Sequence, residues 1–388
     1  MISYSLNDEH KALRETVAQF ARDVVAPVIG EHYERHEFPY DIIAEMAKLG
    51  LFGLPFPEEY GGMGGDLFAL SLALEELARV DSSVAITLEA AAALGAMPIY
   101  RFGSAQQRDR WLPDLCAGER IAAFGLTEAG GGSDIPGGMR TTARLEGGEW
   151  VIDGAKSFIT NSGTAITSLV TVLAITGESG GEREISAIIV PAGTPGMTVG
   201  REYSKVGWCA SDTRELAFGS CRVPADHLLG ERGRGYAQFL QILDEGRIAI
   251  AALATGLAQG CVDEAVRYAR EREAFGHHLG HYQAIAFKLA DMEARAHAAR
   301  LAWYDAAARL VAGDRVKREA AIAKLTASDA AMENARDATQ IFGGYGFMNE
   351  FPVARFYRDA KVLEIGEGTS EVQRMIIARE LGIGGTVR

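Results

Sequence analysis

Phe239 to Arg272 reads FLQILDEGRIAIAALATGLAQGCVDEAVRYARER. Apolar residues recur at helical spacing along the whole stretch. At 1.5 Å per residue such a helix is on the order of 50 Å long. Two more stretches, YQAIAFKLADMEARAHAARLAWYDAAARLV and REAAIAKLTASDAAMENARDATQIF, carry the same period and follow after short loops. Three long apolar-faced helices joined this way predict an antiparallel helical bundle over residues 233–388.

The pattern upstream divides in two. Residues 1–118 are expected to form a helical domain. Phe20, Val24 and Val25 recur on one face, LFALSLALEELARV repeats leucine at helical spacing, and LPFPEEYGGMGGD, crowded with Pro and Gly, reads as a loop. Over residues 119–232 the texture changes. ARLEGGEWVIDGAKSFITN holds two short runs split by Gly-Gly, a hairpin signal, and SLVTVLAIT, EISAIIVPAG and TRELAFGSCRVP are β-branched runs bounded by Gly and Pro. This middle third is read as an antiparallel β-domain. The fold class is therefore α+β, mainly α, in the order helical domain, β-domain, helical bundle.

Composition narrows the function. The chain has 388 residues, 48% hydrophobic and 23% charged, enough for a large core. A formal net charge of −13 disfavours bulk binding to nucleic acid or anionic lipid. No opening signal peptide is visible, and no uninterrupted apolar run approaches the roughly 20 residues of a membrane span. Cys116, Cys209, Cys221 and Cys261 form no close pair, which argues against a disulfide framework or a thiolate metal site and for a cytoplasmic location.

Several short segments carry candidate chemistry. AFGLTEAGGGSD, Ala123 to Asp134, runs into a glycine-rich loop whose backbone N–H groups are free to approach a planar or anionic ligand. In isolation such a loop is more often just a turn, and it lacks the G-x-G-x-x-G pattern of a nicotinamide site. FITNSG offers Phe158 to stack on a flat ring and Thr160 to hydrogen-bond it, although a strand with an inward aromatic reads equally well. His277, His278 and His281 lack acidic or thiol partners at helical offset, so no metal site is expected. Gln340, Gly343, Gly344 and Gly346 end a long helix with more glycine than a helix stop needs. In EIGEGTSEVQR, Glu364 to Arg374, Glu367 stands between two glycines just before a helix start at Thr369. The arrangement reads as a turn that exposes a carboxylate.

Taken together and in order, LTEAGGGSD, GAKSFITN, KVGWCASDTRELAF, LDEGRIAIAA, REREAFG, QIFGGYGF and EGTSEVQR resemble the acyl-CoA dehydrogenase flavoproteins over essentially the whole chain. The resemblance implies an N-terminal helical domain, a central β-domain and a C-terminal four-helix bundle, with FAD as cofactor. Phe124, Leu126, Thr127 and Ser133, with Phe158, Ile159 and Thr160, would hold the flavin ring; Gln340, Gly343, Gly344, Thr369 and Glu371 would line the adenosine and pyrophosphate. Arg272, Phe275 and Gln283 look like the set a neighbouring subunit offers to that FAD, which implies a homo-oligomer, in this family usually a tetramer. Ser133, Asp244, Arg247 and Gly368 match positions that touch the acyl-CoA substrate, and Arg315 is a weaker match. Glu367 matches the catalytic base that removes the α-proton of a saturated acyl-CoA. The implied product is a trans-2-enoyl-CoA, with electrons passed to an electron-transferring flavoprotein.

The chain departs from the family's common pattern at Ala129, Gly131, Phe158 and Gly366. Gly366, where tyrosine is frequent, is expected to open space near the reacting carbons. Some members carry the base on the long helix, at the position of Gly246 here, so that alternative is absent. Competing readings are an oxidase, a dehydrogenase of a carrier-protein thioester, or a non-catalytic subunit. A decarboxylating dicarboxyl-CoA activity would want an arginine near SSVAITLEAAAALG, where none appears.

Overall fold

In the computed structural model, which describes residues 6–384, the long helix runs from Gly235 to Glu271. The ends of the first and last expected domains, 1–5 and 385–388, lie outside the described residues. From Glu245 to Val262 every side chain of this helix is buried. Small residues make that possible. A Cβ at Gly256 would stand 2.1 Å from the carbonyl oxygen of Glu75, and one at Gly260 2.3 Å from that of Arg79. The helix Leu67–Ala78 therefore lies backbone against backbone with it. The helices Gln283–Val311 and Lys317–Phe342 complete the bundle. Asn334 Nδ2 donates to the carbonyls of Ala258 (3.1 Å) and Met292 (2.9 Å), joining all three long helices through one buried amide.

Among the described residues, two segments, Ser82–Phe102 and Gly235–Glu271, are long and apolar enough to cross a membrane by length and composition. Glu89 and Arg101 interrupt the first and Asp244, Glu245 and Arg247 the second, so neither is an uninterrupted apolar run. Both are almost wholly buried inside the protein, so their apolarity belongs to the core. On the first helix, Phe20 and Val25 are buried but Val24 is 37% exposed, because the chain switches to a π-helical turn over Ala21–Val25.

The β-domain is a single sheet built from β1 (Ile121–Gly125), β2 (Thr142–Glu146), β3 (Glu149–Thr160), β4 (Thr167–Ser179), β5 (Glu182–Pro191), β6 (Met197–Glu202), β7 (Thr213–Pro224) and β8 (Leu228–Leu229). Its order is β6-β7-β3-β2-β4-β5-β8, with β1 on β4. Most pairs are antiparallel, but β1 runs parallel to β4, and β2 meets β4 in parallel at Thr142 and Ile175. The sheet is mixed because β1 enters from the helical domain rather than from a hairpin. The expected Gly-Gly turn joins β2 to β3, with Gly147 at φ 61° and Gly148 at φ 88°, where glycine avoids the Cβ clash.

One residue ties the three regions together. Asp359 is fully buried and accepts from Tyr33 Oη (2.5 Å), Ser82 Oγ (2.6 Å) and the Trp208 N–H (2.7 Å). Its partners come from the N-terminal helices and from the loop between β6 and β7.

The close approach at Gly256 is testable. Gly256→Ala forces two helix backbones apart and is expected to destabilise the protein by about 1–3 kcal/mol. Gly219→Ala, where an added Cβ meets nothing within 4 Å, is expected to be near neutral. Chemical unfolding of both variants checks this.

Candidate active site

The segment holding Glu367 is a turn between the helices Pro352–Leu363 and Ser370–Glu380. The Ser370 N–H closes it on the Glu364 carbonyl at 3.0 Å, and Thr369 caps the following helix by accepting from the Val372 N–H. Gly368 has φ 91° and Glu367 itself has φ 52°. A left-handed conformation is uncommon for a side chain without an amide or small carboxyl, and it marks a position the surroundings over-determine.

The surroundings are identifiable. Lys324 is fully buried on the helix Lys317–Phe342, and its Nζ donates to the carbonyls of Leu363 (2.7 Å) and Gly368 (2.9 Å). Gln373 Nε2 also donates to Gly368 O, at 2.8 Å. These bonds clamp the turn on both sides of Glu367. Its side chain then points inward, whereas the turn alone reads as exposing it; the base role implied by the resemblance calls for this burial. Part of the residue stays accessible, but both carboxylate oxygens are buried with no hydrogen-bond donor among the described residues. A Cβ on Gly246 would lie 2.4 Å from Glu367 Oε2, so the missing side chain there is what gives the carboxylate its place.

Burial raises the Glu367 carboxyl above the usual carboxylate range, with Lys324 and Arg247 pulling the other way. Burial likewise pulls the Lys324 ammonium down to about 8. Arg247 is 5% exposed and paired with Asp244 one turn earlier. Glu245, next to Gly246, is engaged by Arg101 at 3.1 Å. Trp208 lies against the turn from the β-domain: its ring stands 3.7 Å from where a Cβ of residue 366 would be. The space expected from Gly366 is thus bounded by an indole.

The glycine-rich loop is held by a buried ion pair. Lys156, fully buried on β3, meets Glu128 at 2.7 Å, and Glu128 also accepts from the N–H groups of Arg140 (2.7 Å) and Thr141 (3.1 Å). Burial opposes the Glu128 charge, but Lys156 and these donors outweigh it and hold the carboxyl below its ordinary value. The Thr127 carbonyl accepts from the Ser157 N–H at 2.9 Å, setting Thr127 beside Phe158. Between Lys156 and Ile159 the β3–β7 register slips, a bulge that leaves Phe158 at φ 62° and 63% exposed. Phe158 is therefore an outward ring rather than an inward one, tilted against Tyr203 with centroids 5.3 Å apart. Ile159 is buried in the sheet's core, so only its backbone is available to a ligand. Thr160 and Thr127 are half-buried, and Ser133 is exposed on the loop. Leu126 is buried, and Phe124 stacks on Phe239 with centroids 3.9 Å apart.

A second surface lies at the far end of the bundle. A cavity of about 790 Å³ is lined by Arg272, Gly343 and Gly344 together with Tyr268, Phe342 and Tyr345. The resemblance implies that Arg272 and the two glycines reach a given FAD from different subunits; within one subunit they share one wall of this cavity. An added Cβ at Gly343 or Gly344 would meet nothing within 4 Å, so these glycines face open space. Nearby, Gln283 and Gln340 are exposed, and Phe275 is 96% exposed at φ 52°. Thr369 and Glu371 stand instead at the start of the helix after the Glu367 turn. Arg315 is 79% exposed and touches Glu380 only loosely, at 3.6 Å.

Sequence reading missed Lys324, Glu128, Lys156, Trp208 and Glu89. Lys324 carried a signal, a lone lysine on the apolar face of AAIAKLTASDAA. The other four are identified only by their buried contacts.

Three family models match the chain in succession: the acyl-CoA dehydrogenase N-terminal domain over residues 7–119, the middle domain over 123–221 and the C-terminal domain over 233–382. The chain belongs to the acyl-CoA dehydrogenase family. It is 45% identical to the probable acyl-CoA dehydrogenase YngJ of Bacillus subtilis, over 98% of this chain and 100% of the relative. It is 44% identical to the mitochondrial short-chain specific acyl-CoA dehydrogenase of Mus musculus, over 98% and 91%. The solved butyryl-CoA dehydrogenase of Megasphaera elsdenii matches with a TM-score of 0.94 at 41% identity, covering 98% and 99%. Its reaction class is α,β-dehydrogenation of an acyl-CoA, and the family is FAD-dependent.

The buried ion pair under the glycine-rich loop makes a prediction for this acyl-CoA dehydrogenase. Lys156→Met leaves Glu128 buried without its cation and is expected to cost about 3–5 kcal/mol. Thermal unfolding, with proteolysis of the loop Ala129–Asp134 as a local readout, checks it.

Proposed function

We propose that this enzyme dehydrogenates a saturated short-chain acyl-CoA with Glu367 as the catalytic base. The observation that carries the assignment is the Glu367 carboxylate: it is buried, donor-free and held inward by a strained turn. An α-proton beside a thioester is weakly acidic, so a base with a raised pKa suits the task. Glu367 takes that proton on a carboxylate oxygen. No backbone carbonyl among the described residues accepts the Glu367 N–H, which leaves it to donate to the thioester oxygen, where enolate charge develops.

Residues present fit a flavin. The bulged Phe158 offers an exposed ring face, Thr127 and Thr160 lie close by, and Arg272 beside the open Gly343 and Gly344 suits a pyrophosphate. FAD, when bound there, supplies the acceptor for the hydride leaving the β-carbon. Asp244, Arg247, Ser133, Gly368 and Arg315 are assigned to the acyl-CoA. Phe275, almost wholly exposed in one subunit, is assigned with Arg272 and Gln283 to a subunit contact in a homotetramer. Short acyl chains are favoured because relatives 40–44% identical are short-chain specific enzymes. An electron-transferring flavoprotein is the proposed acceptor: a chain in a structure described as that flavoprotein of Acidaminococcus fermentans matches at 41% identity and TM-score 0.94. The cytoplasm is the proposed location, in keeping with four free, buried cysteines.

Glu367→Gln is expected to keep FAD and substrate binding and to slow flavin reduction by acyl-CoA roughly 10²–10⁴-fold. Glu245→Gln, on the carboxylate already held by Arg101, is expected to leave that rate within a few-fold. Anaerobic stopped-flow bleaching, run over butyryl- to palmitoyl-CoA, reads both the base and the chain-length preference. A fast Glu367→Gln enzyme would overturn the assignment. Arg272→Ala is expected to lower FAD occupancy and weaken the oligomer together, as seen by absorbance and light scattering.

A further inference from the structure

Glu89 is the last residue of the helix Ser82–Glu89, where the chain passes into the π-helical turn Ala90–Ala96. Such turns are rare and gather at functional sites. Its side chain is fully buried, and neither of its carboxyl oxygens meets a hydrogen-bond donor among the described residues. The same holds for both oxygens of Glu367. Hydrogen bonding between these two carboxyl groups shifts the proton affinity of each, and neither has another partner among the described residues. Gly246 and Leu94 border Glu367 here, offering no polar group from their side chains.

Charged groups around the pair are unevenly placed. Lys324, from the helix Lys317–Phe342, and Arg247, from the long helix, both act on Glu367; the charge acting on Glu89 is that of Glu367. Lys324 is committed to two carbonyls, and Arg247 to Asp244. Glu245 is turned to Arg101, and Asp81, at the other end of the Glu89 helix, is paired with Arg355.

Two buried carboxyl groups this close cannot both ionise near neutral pH, so one proton is shared between them. The asymmetry of the cations decides where it sits. Negative charge is favoured on Glu367, and the proton remains on Glu89. Burial and the charge of Glu367 hold the Glu89 carboxyl well above its ordinary range.

We propose that Glu89 is a positioning residue for the reaction: its protonated carboxyl donates a hydrogen bond to the Glu367 carboxylate and holds one oxygen, leaving the other to meet the α-proton. This rests on the reading of Glu367 as the base. During the step the substrate Cα–H bond breaks and an O–H bond forms on Glu367, while the electron pair stays on the substrate. Glu89 keeps its own proton throughout, and the pair ends with both carboxyls neutral.

The pair titrates as a unit. Its active form is the monoanion, so the acid limb of the rate profile reports the first ionisation. The hydrogen bond from Glu89 stabilises the carboxylate and lowers that ionisation, against the effect of burial. Removing the donor therefore moves the acid limb to higher pH.

The experiment measures anaerobic flavin reduction by butyryl-CoA against pH in the FAD-loaded wild type, Glu89→Gln, Glu89→Leu and Glu367→Gln, together with infrared spectra of the resting proteins. Glu89→Gln still donates a hydrogen bond, and its acid limb is expected to stay near wild type. Glu89→Leu is expected to shift the limb up by about 1–2 pH units, the size of one hydrogen bond to a charged group. The infrared band of a buried protonated carboxylic acid is expected at neutral pH in wild type and Glu367→Gln, and to be lost in Glu89→Gln. An unshifted limb in Glu89→Leu, or a band that survives in Glu89→Gln, overturns the proposal while leaving the base reading intact. Rapid reduction in Glu367→Gln overturns the base reading instead. Should Glu89→Leu not fold, the infrared comparison of wild type with Glu89→Gln decides alone.

Discussion

A carboxylate turned inward with no donor beyond a second buried carboxyl is costly to bury, and the Glu367 turn is where this protein accepts that cost. Everything near it offsets the charge or fixes its direction. Lys324 brings a cation close but commits its protons to the carbonyls of Leu363 and Gly368, so the carboxylate feels the field without being capped. Gly246 removes the side chain that would fill its place, and the left-handed backbone at Glu367 aims it there. The result is a carboxylate with raised proton affinity, which is what the proposed removal of a proton next to a thioester needs.

That arrangement draws on the whole chain. The long helix Gly235–Glu271 supplies the floor, the helix Lys317–Phe342 the cation, the helix Ser82–Glu89 a second carboxyl and the β6–β7 loop an indole wall. Asp359 holds two of these together by accepting from both Ser82 and Trp208. Asn161, just after the bulge that exposes Phe158, donates to the Thr87 carbonyl at 3.0 Å, two residues before Glu89. The strand end next to the ring proposed to face the flavin and the helix that carries Glu89 are thus joined by a hydrogen bond, which ties the geometry of the proposed cofactor surface to that of the proposed base.

Local pattern determined much of this protein. The 3.6-residue period of Phe239–Arg272 is a property of consecutive residues, and it gave the long helix directly. The Gly-Gly turn of the first hairpin and the Thr369 helix cap are likewise set by residues within a few positions of each other. The seven motifs in order carried the family, and with it the expectation that a carboxylate between two glycines is a base. What the sequence could not state is direction and company. Whether Glu367 faces solvent or core depends on Lys324 and Gly246, which lie 43 and 121 positions away along the chain. Phe158 points outward because the register slips against β7, and the sheet is mixed because β1 arrives from another domain. Arg272 and Gly343 share a wall only once two helices have packed. Glu89 and Glu367 are unremarkable glutamates 278 positions apart until the fold buries both and leaves each without a donor except the other. Helical and strand periods are short-range and survive in a one-dimensional reading; burial, charge pairing and a carboxyl group's proton affinity are set by neighbours that only tertiary packing brings together.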